Sequence, residues 1–418
     1  MTRLDIAAFV QDLRAKYIVI SYKDGELEVD DPAGALTSEM EEVLAAQKNA
    51  LVGYLENHPQ SAGAVSIPKA DRAERIPLSF IQEQLWRLET KDATNKGFHL
   101  PTALRMKGAV DAQVLEDAFR VLISRHESLR TNIVCESGRP WQRIHDGANW
   151  KVKVVDLSGL NDAEAEREAF LRIEKEGRAG FDLGNDSLLR TTLYKLKRHD
   201  FILFVDMHPI ISDLRSLNIL TQEITQIYHA FVKKEWPSLR PLPVQYADFA
   251  AWQRDIAPKR AVNEKRAYWG ERLKGVAPFE LPTDFVRPAD SRSKNDVVAF
   301  EIDEKAVKGI RSLSRKEETP TDLILLASFL VLLHRYSGQD DICIGWVNPN
   351  RNEADLSSLI GLFANTLPLR TDLSGNPSFL EVLHGLKKTR KADCAYSDMP
   401  FEEILEVMKG NCTGSGPP

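Results

Sequence analysis

Apolar positions in the first 57 residues change period twice. Leu4, Ala7, Ala8, Val10 and Leu13 share one helical face, so residues 3–16 predict a short amphipathic helix. Residues 17–29 (YIVISYKDGELEV) alternate around Asp24-Gly25 and predict a hairpin. Leu44, Ala45, Leu51, Val52 and Leu55 then return to a helical period that runs to about Glu56. Thr37 or Ser38, followed by Glu41 or Glu42, resembles the capping box that would open this helix. The set predicts a helix–hairpin–helix module over residues 1–57. Residues 58–72 are aperiodic and rich in Pro, Ser and Ala, which predicts a linker.

The remainder alternates strand and helix. Residues 76–89 read as a Pro-led segment turning into a helix with Leu85, Trp86 and Leu88 inward. Residues 111–126 read as an amphipathic helix, and 125–133 (RHESLRTNI) run out of it into a strand. Residues 139–155 are strand-like, 160–178 helical and 189–197 a strand. Phe201–Val205 is a continuous apolar run, the pattern of a strand buried on both faces. It ends at Asp206-Met207-His208-Pro209. From Leu214 the spacing turns helical, with Leu217, Leu220, Ile224 and Ile227 on one face and Ser212 or Asp213 placed as cap. Residues 235–258 are Pro-rich and then helical, the pattern of a hinge. After them come helices at 305–316 and 320–337, a strand at 341–347, a loop at 348–358, a strand-like 362–370 and a helix at 378–393. The fold class expected is α/β, with lobes over 73–240 and 241–405. Residues 406–418, Gly/Ser/Pro-rich at the end, read as a disordered tail. Trp86, Trp252 and Trp269 are expected in the core.

Composition narrows the function classes. The chain has 418 residues, 43% hydrophobic and 28% charged, an ordinary balance for a globular protein. No apolar run approaches the ~18 residues of a membrane span, and the N-terminus has no cleavable signal pattern. These features place the chain in the cytoplasm. Residues 1–60 carry 5 Lys and Arg against 11 Asp and Glu, while the whole chain carries 55 against 61. The net negative charge therefore resides in the first segment. This argues against nucleic acid as a partner. It suits either a basic or mixed-charge peptide partner or a solvated acidic surface. Cys135, Cys343, Cys394 and Cys412 form no CxxC, and the nine His form no HxxxH or HExxH, so neither a disulfide frame nor a metal is expected.

Residues 1–57 resemble the TubC-type N-terminal docking domain of nonribosomal peptide synthetases. The likeness rests on the early helix, the Gly25-Glu26-Leu27 step, the run from Pro32 to Thr37 and a helix with Lys48. It implies that the hairpin, through Ile18, Val19, Ile20, Ser21, Leu27 and Val29, takes up the C-terminal docking motif of an upstream synthetase subunit by strand addition. Residues 72–405 resemble a condensation domain of the same synthetases. The stretches that carry this, in order, are PLSFIQEQLW (77–86), RHESLRT (125–131), HPIISDLRS (208–216), YADFAAWQR (246–254), LIGLFANTLPLR (359–370) and YSDMPFEEI (396–404). Gln84 stands where Arg is usual, and Tyr396-Ser397 where His-Gln is usual. The resemblance implies a two-lobe, chloramphenicol-acetyltransferase-like fold whose second lobe is C-terminally truncated. It implies donor and acceptor carrier domains as partners, their phosphopantetheine arms as substrates, and no cofactor bound by this chain.

HPIISDLRS aligns with the family's His-His-x-x-x-Asp-Gly. With His208 as the first His, Asp213 falls on the Asp, Pro209 replaces the second His and Leu214 the Gly. The alternative register would put Ser212 at the Asp position and shift the helix by one, so the first is adopted. The resemblance gives the second His the role of positioning or deprotonating the acceptor amine. Proline has no side-chain donor or acceptor and no N–H, so it cannot do either. It also implies a structural pair between Asp213 and Arg351, the Arg coming from the second lobe. His208 is the candidate catalytic residue, or else a buried His bonded to backbone. Three readings stay open: the N-terminal part of a synthetase subunit with impaired amide-bond chemistry, a non-catalytic recruitment module, and an unusual acyltransferase working without the second His.

Overall fold

The structure is a computed structural model. It describes residues 6, 9–10, 13, 19–23, 26–30, 38–57, 67–91, 99–147, 150–256, 262–285, 298, 300–351 and 354–411. In the N-terminal module, strands β1 (Val19–Lys23) and β2 (Glu26–Asp30) pair antiparallel with Ile20 opposite Val29. The turn at Asp24-Gly25, and Ile18, lie outside the described residues. The second helix is two, α1 (Ser38–Ala46) and α2 (Lys48–Asn57). The bonds Gln47 N–H to Val43 O and Leu51 N–H to Gln47 O, both 2.9 Å, carry the ladder through the break. Val10, Leu13, Ile20, Met40, Leu44 and Leu51 close the module's core.

Two compact units make up the chain. The first runs to Val262 and also takes in Pro349–Ala364; the second holds Asn263–Asn348 and the chain from Asn365 on. The division expected at 240–241 thus falls later. Tyr246, Phe249 and Ala250 of the helix that follows bury themselves with Ile67, Leu359 and Phe363, and so hold it to the first unit. Ile67 also shows that the expected linker is fixed at its end: Ala70 N–H and the Arg72 guanidinium both donate to Asp248, and Arg72 pairs with Glu127.

The first unit opens with β3 (Ile76–Pro77) and α3 (Phe80–Lys91), followed by β4 (Leu100–Lys107) and α4 (Ala112–Arg125). Strands β5 (Thr131–Glu136), β6 (Arg139–Ile144) and β7 (Lys153–Asp156) lead to α5 (Asp162–Gly177), and β8 (Leu189–Lys197) and β9 (Asp200–Met207) lead to α6 (Leu214–Val232). The larger sheet has the order β4-β9-β8-β7; the smaller is β3-β6-β5. The apolar run of β9 is explained by cover on both faces. Phe201, Leu203, Val205 and Met207 pack under α4 and α6, while Ile202 and Phe204 meet Ala165 and Ala169 of α5. The helical part expected within 235–258 is α7 (Tyr246–Ile256).

The second unit pairs β10 (Asp341–Asn348) with β11 (Asn365–Asp372) antiparallel. Its helices are α8 (Val262–Arg272), α9 (Glu304–Lys316), α10 (Thr321–Ser337), α11 (Phe379–Cys394) and α12 (Phe401–Asn411). The expected tail is therefore helical as far as Asn411, because Ile404 and Met408, one turn apart, are both buried with Trp269 and Leu367. Trp269 is fully buried; Trp86 and Trp252 are partly buried against cores of the first unit. Among the described residues no helix is long and apolar enough to cross a membrane, and no group of His, Cys, Asp and Glu is arranged to hold a metal.

Candidate active site

The junction after β9 is built by local hydrogen bonds. His208 N–H continues the strand by donating to Leu188 O at 2.9 Å. Its ring then caps a single 3-10 turn, Pro209–Ile211: Nδ1 accepts from Ile210 N–H at 3.1 Å. An accepting Nδ1 requires the ring proton on Nε2, and Nε2 donates to Glu89 Oε1 on α3 at 2.7 Å. The Phe181 ring packs edge-on against the imidazole at 5.6 Å. His208 is 1% exposed, with both ring nitrogens engaged.

One residue from the strand's end, a second carboxylate is buried. Asp206 accepts from His99 Nδ1 at 3.0 Å, and its Oδ1 has no partner among the described residues. Burial raises this carboxyl above its ordinary value, against the opposing pull of His99. Arg190 lies 3.7 Å over the face of Phe181, so the corner joins Glu89, His99, Phe181, Arg190, Asp206 and His208. The sequence reading singled out none of the first four. They are brought in by tertiary pairing across distant parts of the chain.

Asp213 is the N-cap of α6. Its side chain accepts from Ser216 N–H and Ser216 Oγ, both at 2.7 Å. It also accepts from Arg351 at 3.0 Å and from Phe363 N–H at 3.2 Å. Arg351 donates its other arm to Leu356 O and Leu359 O at 2.7 Å and lies 4.1 Å over the Phe363 ring. The structure thus brings Asp213 and Arg351 together. Arg351 does not come from the second unit, however: it stands on the 349–364 segment that belongs to the first. Burial lowers its guanidinium from the ordinary value, and Asp213 opposes that.

The same segment is clamped at further points. Ser216 Oγ accepts from Gly361 N–H at 3.1 Å, and Ser128 Oγ donates to Ile360 O at 2.7 Å. Tyr246 donates to Leu362 O at 2.7 Å and receives Ser79 Oγ at 2.8 Å. Gly361 is needed for this approach, since a Cβ there would lie 2.0 Å from the Tyr246 ring. The RHESLRT stretch has a structural task too: Arg125 and His126 both hold the buried Glu223 of α6, at 3.0 and 2.8 Å. Leu214, where a Gly was expected, is 71% exposed, and Pro209 is half-buried. In the N-terminal module Ile20 faces the core, Leu27 is partly buried and Val29 is exposed; of Val19 and Ser21 only the strand backbone is described.

With this geometry in view, the comparisons with known proteins are decisive. The family model "Condensation domain" matches residues 72–413, and "TubC N-terminal docking domain" matches residues 6–57. The chain belongs to the condensation-domain family. A linear gramicidin synthase polypeptide of Brevibacillus parabrevis is 40% identical over 347 residues, which are 83% of this chain and 7% of that protein. The chain therefore spans a small part of this relative's length. The X-domain from teicoplanin biosynthesis is 30% identical with a TM-score of 0.71, over 84% of this chain and 76% of that one. The first condensation domain of the CDA synthetase shares the fold, with a TM-score of 0.69 at 18% identity over 82% of this chain and 81% of that one. The chain is a nonribosomal peptide synthetase condensation domain with an N-terminal docking domain.

Proposed function

We propose that this chain is the docking and condensation part of a synthetase subunit in which amide formation is slowed. Residues 6–57 receive the C-terminal motif of an upstream subunit along an edge of the β1–β2 hairpin, through strand addition. Residues 72–413 hold a donor thioester and an acceptor amine, each on the phosphopantetheine arm of a carrier domain. The observation that carries the reading is the contrast at the end of β9. Asp213 is saturated by donors from Ser216, Arg351 and Phe363, which supports an intact start of α6. Position 209 is a proline that can neither accept a proton nor orient an amine.

Asp213 and Arg351 have a structural part in this scheme, because the pair fastens the 349–364 segment to the start of α6. His208 is locked through both ring nitrogens and serves to shape the corner. Proximity of two held reactants then carries amide formation without help from position 209. A second reading, a recruitment module that holds partners without chemistry, is favoured by Pro209 itself. The two separate in an assay with loaded donor and acceptor carriers and an upstream subunit's tail, read by intact-protein mass spectrometry and by binding. Slow product formation, with tail binding lost on deletion of residues 1–57, supports the proposal. Carrier binding without product supports recruitment, and no binding of either partner refutes both.

A further inference from the structure

We propose that Glu89 is the proton acceptor that remains at this site and takes over the task Pro209 cannot perform. This rests on the reading of the chain as a condensation domain that holds an amine and a thioester.

Attack of an amine on a thioester forms a C–N bond, breaks the C–S bond and releases one proton from nitrogen. That proton needs an acceptor, and the departing thiolate needs a proton in return. A carboxylate can do both: it takes the proton from nitrogen and, as the acid, gives it to sulfur, so it leaves the cycle unchanged.

His208 cannot accept, because Nδ1 is filled by the Ile210 N–H and Nε2 already bears the proton it gives to Glu89. Asp213 spends its oxygens on Ser216, Arg351 and Phe363 N–H. Asp206 is wholly buried on the face covered by α5 and tied to His99. Ser212 Oγ is engaged with His208 O at 3.1 Å.

Glu89 differs from each of these. Its Oε1 receives the His208 Nε2–H, while no described donor reaches Oε2, and its side chain is 14% exposed. It is therefore a carboxylate held in one orientation by a buried imidazole, with one oxygen left over and a path to solvent. His208 is in turn a positioning residue, acting through Glu89. The lost second His stood next in the chain to His208, so the acceptor has moved across the corner without leaving it.

The decisive variant is Glu89→Gln. Its carbonyl oxygen can still receive the His208 Nε2–H, so the corner keeps its hydrogen bond and loses only the proton acceptor. The experiment is single-turnover condensation between a donor-loaded and an acceptor-loaded carrier, with carrier binding and melting temperature measured alongside. Glu89→Gln is expected to form product about a hundredfold more slowly, with binding and melting temperature unchanged. Glu89→Ala is expected to be slowed similarly and to recover in a concentration-dependent way with added formate, whereas Glu89→Gln does not. A merely structural Glu89 would not respond to formate.

A wild-type rate in Glu89→Gln overturns the proposal. So does a Glu89→Gln protein that loses carrier binding or melting temperature, since that marks a packing role. Wild-type protein that holds both carriers and forms no product also overturns it, while leaving the recruitment reading intact. Wild-type protein that holds neither carrier overturns the functional reading and this inference together.

Discussion

Removing Asp213 tests the structural assignment of its pair with Arg351 quantitatively. The side chains are 5% and 3% exposed, so Asp213→Ala leaves a guanidinium out of water without its counter-charge. Breaking a buried pair from one side costs about 3–5 kcal/mol. Losing the N-cap of α6 adds about 1 kcal/mol. Arg351 keeps Leu356 O, Leu359 O and Ser216 Oγ as acceptors, which favours the lower end. The expected loss is about 4 kcal/mol, or a fall in melting temperature of about 8–16 °C at roughly 2–4 °C per kcal/mol. Arg351→Met should also be costly, because two carbonyls lose their donor. The double variant strands no charge and should lose less than the two single losses combined, by about 2 kcal/mol. The assay is urea unfolding of the full chain followed by circular dichroism. If the two losses add within about 0.5 kcal/mol, the pair is not coupled and the assignment fails.

Gly361→Ala places a Cβ against a Tyr246 ring that is pinned at Ser79 and Leu362; it should cost about 3 kcal/mol by overpacking, and an unchanged melting temperature would show that the ring can yield. Burial lowers the His126 imidazole from its ordinary value, opposed by Glu223. The unfolded chain therefore binds that proton first, so this contribution to stability is whole above about pH 6.5 and is lost as pH falls towards the folded value. Glu223, held below its usual range by His126 and Arg125 against the burial that raises it, keeps its own contribution through that window. Melting temperatures from pH 7.5 to 5.5 should fall less steeply in His126→Gln than in the wild type; parallel curves would place the sensitivity elsewhere.

Legibility in the sequence followed how far a signal depends on one segment. The junction after β9 was readable because the apolar run 201–205 and the helical period from Leu214 are both local. So was the Asp213 cap, which reaches only to Ser216. Strand β4 has no strong local signal. It lies at the end of the sheet order, carries Pro101 near its start and alternates half-buried with exposed positions, so its apolar signal is diluted. Within 406–418 the helix is hard to read because one buried position, Met408, stands before a Gly/Ser/Pro-rich end. At the site, Asp213 and Arg351 could be paired only through motif order. Glu89 and His99 were invisible because each finds its partner 119 and 107 positions away. A lone Glu on an amphipathic helix carries no sign of such a partner.

The central claim is that a sound scaffold holds the reactants while position 209 withholds chemistry. Single-turnover condensation, read by intact-protein mass spectrometry for the wild type and for Pro209→His combined with Leu214→Gly, tests it most directly. The account predicts slow product from the wild type and a gain of about tenfold or more in the variant, within the ~10²–10⁴ that a placed base contributes. Equal rates in the two proteins, with carriers bound by both, would contradict it and place the limitation outside this junction.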